Sequence, residues 1–157
     1  MKKLILLICF ATFSLSASAA KKLPHFDEIK NKMDNFGIVS ATEWKNTGDT
    51  NIAMSDGVQY WANDRAVAAV HLLKGKSSKE LEGKLIDTAS VCLKLSKAVT
   101  GELSEEQADD ILLTAGYAGK VDDRQVSTFI NGYSFFSSIQ PNKSEIVFTC
   151  GVRQNDF

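Results

Sequence analysis

Two prolines in 157 residues, no internal repeat and no low-complexity run leave no stretch that reads as a linker. The ten glycines are scattered and spell neither G-x-G-x-x-G nor a Walker pattern, so no phosphate-cradling loop is present. Histidine is nearly absent, with only His25 and His71 in the chain, and no close-spaced Cys/His couple of the kind that structural zinc requires. The spacing C-x-x-C of a redox pair is missing, as is a serine motif of the nucleophile-elbow type. "DTNIAMSDG" and "DDRQVS" lack the ligand spacing of an EF-hand loop. No metal or cofactor is therefore expected. The charge balance, 18 basic against 19 acidic side chains, gives no field that would hold a polyanion, which argues against nucleic acid as a partner.

What is present begins with a leader. "MKKLILLICFATFSLSASAA" has two lysines, an apolar run from Leu4 to Phe13 and an Ala17-Ser18-Ala19 site, the layout of a secretory signal. Its apolar run is too short to span a bilayer. Residues 1–19 are expected to be cleaved, leaving residues 20–157 as one globular domain without a membrane span. The short basic start looks bacterial, which places the product in the periplasm or, on release, outside the cell.

Cys9 leaves with the leader, so Cys92 and Cys150 remain as the only cysteines in an oxidising compartment. Cys92 falls on the apolar stripe Leu81, Leu85, Thr88, Cys92, Leu95, Val99 of a long helix that starts near Ser78 and Glu82 and stops at Gly101. Cys150 shares a strand face with Ile146, Phe148 and Val152. Both thiols point into one core, and a disulfide between them is expected to tie helix to sheet.

The rest of the pattern is α+β. Phe26, Ile29, Met33 and Phe36 repeat at helical spacing in a short N-terminal helix ended by Gly37. "IVSATEW" reads as a strand. A meander follows in "NIAM", "VQYWA" and "AVAAVHLL", with turns at Asp56-Gly57 and Asn63-Asp64. A second long-range helix opens with a capping box at Ser104 and Gln107 and carries Ala108, Ile111, Leu112, Ala115 and Ala118 inward, forming a helical hairpin over residues 78 to 118 with the first. Asp122 and Gln125 suggest another helical turn, and "YSFFSSI" and "SEIVFTCGV" flank a "QPNK" turn as two final strands. The predicted architecture is an antiparallel sheet, built from the N-terminal meander and the C-terminal hairpin and covered on one face by the helical hairpin.

Candidate functional residues are few. Tyr60 and Trp61 are adjacent on a strand and so face opposite ways, which leaves one of them outside the core. With Asp64 and Arg65 at the next turn, and Trp44 as a lesser candidate, they supply the residue types that dominate protein contact sites. The function expected is that of a small exported, non-catalytic binding protein acting on another envelope or extracellular protein, as an inhibitor or immunity-type factor does. Two other readings stand beside it. One is a small-ligand module with an apolar cavity between helices and sheet, lined by Phe129, Phe135 and Phe148. The other is a small envelope hydrolase using His71 or a carboxylate pair from Asp27-Glu28, Glu105-Glu106, Asp109-Asp110 or Asp122-Asp123.

Overall fold

A computed structural model describes residues 21–75, 78–120, 125–142 and 145–155 of the chain. The leader, the side chains of Ser78 and Glu82, and Asp122 lie outside the described residues. Three helices, α1 (Phe26–Asn35), α2 (Ser78–Thr100) and α3 (Glu105–Ala118), accompany seven strands: β1 (Lys45–Asn46), β2 (Asn51–Ser55), β3 (Val58–Ala62), β4 (Ala66–Leu73), β5 (Val126–Ile130), β6 (Tyr133–Asn142) and β7 (Glu145–Gln154). All seven form one antiparallel sheet in the order β1-β2-β3-β4-β7-β6-β5. The fold is α+β, as the pattern predicts.

The topology follows from where the helices enter the chain. The meander β1 to β4 grows inward from one edge, the chain then leaves for α2 and α3, and it returns at the far edge as β5. The last strand closes the gap by pairing with β4 over eight residues, from Ala66↔Arg153 to Leu73↔Ile146. Helix α2 packs against β4 and β7, α3 against β5 and β6, and α1 against α2.

Register separates the two sheet faces, because residues paired across an antiparallel ladder point the same way. Phe148, Cys150 and Val152 of β7 share a face with Val67, Ala69, His71 and Leu73 of β4 and with Phe135, Ser137 and Ile139 of β6. That face meets the helices, since Cys150 is bonded to Cys92 of α2, with Cα atoms 6.0 Å apart. Both cysteines are 0% exposed, among Leu95, Val99, Ile111, Phe135 and Phe148.

Turn chemistry sets the strand ends. Asp56 and Gly57 both take positive φ (49° and 77°), the two-residue turn whose twist matches paired strands. Asn131 and Gly132 do the same (50° and 89°) between β5 and β6. This second turn corrects the helical reading of the segment after Asp122: Val126–Ile130 is strand, and Asn131-Gly132 is the dominant local signal. "QPNK" is corrected in part, because Pro141 and Asn142 continue β6 opposite Ile146 and Glu145.

"IVSATEW" is not a strand. Ile38 and Val39 are buried, yet Ser40 accepts a hydrogen bond from the Thr42 amide (3.3 Å) and its carbonyl accepts from Glu43 N (3.1 Å). A hydroxyl-backed turn of this kind competes with ladder pairing. Only Lys45 and Asn46 reach the sheet. The capping box on α3 forms as expected, with Ser104 Oγ accepting from Gln107 N (3.2 Å) and Gln107 Oε1 from Ser104 N (3.0 Å). His25, for which the sequence offered no role, is the N-cap of α1.

Candidate functional site

The helices pack on one face of the sheet; on the other, Trp61 and Met54 are exposed while Phe136, Ser134 and Ser138 are buried among their neighbours. On this second face the ladder places Lys45, Ile52, Trp61, Ala68, Gly151, Phe136 and Ser127 in one row from edge to edge. A second row runs Met54, Gln59, Val70, Thr149 and Ser138, and Leu72 pairs with Val147 beyond it. Met54 (55%), Leu72 (51%), Phe129 (48%) and Trp61 (45%) are exposed there, an unusual amount of large apolar surface for one sheet face.

Strand β4 shows why this is unusual. A strand with one wet face should alternate apolar with polar, whereas near-continuous apolar runs belong to strands covered on both sides. "AVAAVHLL" turns Val67, Ala69, His71 and Leu73 toward the helices and Ala66, Ala68, Val70 and Leu72 outward. Its outward residues are as apolar as its inward ones.

Cations border the patch. Lys45 ends the Trp61 row, Arg153 lies one pair further along β7, and Arg65 is exposed on the loop between β3 and β4. The Arg153 guanidinium sits 5.7 Å over the Phe136 ring and donates to Gln125 Oε1 (2.9 Å). Among the described strand residues of this face the one carboxylate is Glu145, at the opposite end of β7 and paired with Lys74 (2.7 Å).

The residues singled out by the sequence divide accordingly. Trp61 is the member of its pair that faces out. Tyr60 is only 3% exposed on the helix side, and burial, then the Asp56 carboxylate, push its hydroxyl up to about 12. Of the two adjacent rings it is therefore Trp61, not Tyr60, that stands on the open face. Trp44 is half-buried edge-on to Phe26 (ring centroids 5.3 Å apart, 81° between planes) and packs on the core. Asp64 and Arg65 are both exposed in the loop, but Asp64 lines a polar hollow beside His25 and Asn51, on the helix side of the sheet. Sequence reasoning missed Ile52, Met54, Val70 and Leu72, although the two-sided apolar character of β4 was readable.

His71 faces inward. Thr88 donates its single proton to the Lys84 carbonyl (2.7 Å), so the 2.9 Å contact with His71 is Nδ1–H donating to Thr88 Oγ1. Burial, then the Lys84 charge, hold the imidazole below its ordinary pKa. It lines a hollow of about 330 Å³ with Asp56, Tyr60, Asp87 and Lys94. The hydroxyls there are poor nucleophiles, since the Thr88 proton is committed and Tyr60 is held neutral. Two acidic pairs sit in first helical turns, where negative charge favours the helix: Asp27 and Glu28 in α1, which also pair with Lys30 and Lys32, and Glu105 and Glu106 in α3.

An apolar trough of about 510 Å³ runs between α2 and α3. Its floor is Ile139 and Phe148; Phe135 is fully buried beneath the helices and Phe129 lies on the other face, so two of the three expected lining residues are elsewhere. No described helix is long and apolar enough to cross a membrane, and no described group of three or more His, Cys, Asp or Glu side chains is placed to hold a metal. Comparison with protein-family models, with curated proteins and with solved structures finds no match.

Proposed function

We propose that this is an exported, non-catalytic binding protein that docks another envelope or extracellular protein onto the open face of its sheet, as an inhibitor or immunity-type factor would. Export is supported by the leader pattern at residues 1–19 and by the Cys92–Cys150 bond, which suits an oxidising periplasm or exterior. The observation that carries the reading is the outward side of β4 and its neighbours: Ile52, Met54, Trp61, Val70 and Leu72 form one apolar area on a rigid sheet. Trp61 at its centre supplies the amphipathic aromatic typical of contact hot spots. Lys45, Arg65 and Arg153 at the border select a partner whose apolar surface is rimmed by carboxylates.

The test is affinity capture of the exported protein's partner from the envelope fraction, followed by titration of Trp61→Ala. Loss of a central aromatic anchor should cost about 2 kcal/mol, roughly 30-fold in Kd, while a half-exposed site costs little stability. Affinity should also fall as salt is raised, through the bordering cations. A partner whose affinity ignores both Trp61 and salt would refute the reading.

A further inference from the structure

We propose that the trough between α2 and α3 binds a single-chain amphiphile, an unbranched apolar chain ending in a carboxylate. This site is distinct from the open sheet face and stands whether or not that face binds protein. Its volume of about 510 Å³ lies within the size range of small-molecule sites, and well above the ~150 Å³ that holds a benzene ring in an apolar cavity. The hollow follows from side-chain size. Where α2 faces α3 above Ile139 and Phe148, the walls include Ala89, Ala115, Gly116 and Gly119, which are too small to fill the space between two helices. No charged side chain lines it among the described residues, and the one wall hydroxyl, Ser90, donates to the Ile86 carbonyl (3.4 Å). An enclosed occupant must therefore be apolar along its length, because a polar group there would lose water without gaining a partner.

The polar end is specified by what the trough opens onto. Leu112 and Gly116 also line a second, more open hollow of about 730 Å³, so these two residues are the wall that the two spaces share. The crest between them is low, since a Cβ at Gly116 would meet nothing within 4 Å. The second hollow has one charged described residue, Lys120, and no described carboxylate lines either space. A chain lying in the trough and crossing at Gly116 thus meets Lys120, the one charged side chain of the second hollow among the described residues, which complements an anionic head.

The experiment titrates the purified exported protein with octanoate, decanoate, dodecanoate and dodecanol by calorimetry, each below its micellar concentration. Affinity should rise with chain length, by about fourfold per methylene while the chain is being enclosed. Lys120→Glu should weaken the acids several-fold and leave dodecanol unchanged. Gly116→Leu should block acid and alcohol alike without lowering the thermal midpoint, because leucine is the better helix former at this exposed position. Affinity independent of chain length, or binding untouched by Gly116→Leu, would overturn the proposal. So would a dimer abolished by Gly116→Leu, which would make a second copy the occupant, or retention only on anionic phospholipid vesicles.

Discussion

Replacing both halves of the buried cystine, as Cys92→Ala with Cys150→Ala, removes a covalent cross-link between the helix layer and the sheet. The bond joins α2 to the strand that closes the sheet against β4, and it spans 58 residues that include all of α3, β5 and β6. Loop-closure entropy for that span is worth about 4 kcal/mol, an upper figure because a compact denatured chain has less freedom to regain. Against a domain stability of ~5–15 kcal/mol the loss is severe, and it corresponds to a fall of roughly 8–16 °C in Tm for a chain of this size. Alanine is the right replacement, since it puts no new polar group into a site where both sulfurs are fully buried. Urea unfolding followed by tryptophan fluorescence measures the effect, with Trp44 against the core as the sensitive reporter. The variant should unfold at lower urea, with a steeper dependence because its denatured state is more expanded. Both sulfurs are inaccessible in the native state, so reductant should leave the wild type intact until urea opens it. An unchanged midpoint, or ready reduction of the folded protein, would refute the reasoning.

Three further outcomes follow from the same geometry. His71 is held below its ordinary pKa in the folded state, so the unfolded chain takes up the proton first; stability present above about pH 6.5 should decline as pH falls through the folded-state value, and His71→Gln should flatten that slope in pH-dependent unfolding. Gly151→Ala should destabilise by about 2–3 kcal/mol, measured by urea midpoint, because the added Cβ would meet the Val67 carbonyl, Phe136 Cζ (2.7 Å) and Ala68 Cα (3.0 Å), two of them backbone in the central strand pair. Ser104→Ala should cost about 1 kcal/mol through loss of the capping box on α3, again read from the unfolding midpoint.

The elements most legible in the sequence were those whose local and tertiary signals agree. Leu81 to Val99 repeats at 3.6 residues and is buried at Thr88, Cys92, Leu95 and Val99, and Asp56-Gly57 both marks and makes its turn. Legibility fails where two signals compete. Ile38 and Val39 have strand-like side chains, but Ser40 and Thr42 offer the backbone a turn. Leu112 keeps helical spacing with Ala108 and Ala115, yet it is 40% exposed because it stands at the rim of the trough between α2 and α3. The candidate site was half visible. Opposed facing of Tyr60 and Trp61 is a property of any strand, but which ring faces out depends on register against Ala69 and Ala68, and that is fixed by the disulfide-bearing strand.

The proposal that the open sheet face is the working surface is tested most directly by oxidative footprinting of the protein, free and with its captured partner. Met54, Trp61 and Leu72 should lose labelling together on complex formation, while Leu113 and Tyr117, exposed on α3, stay labelled. Protection confined to α3, with Trp61 as reactive in the complex as in the free protein, would contradict it.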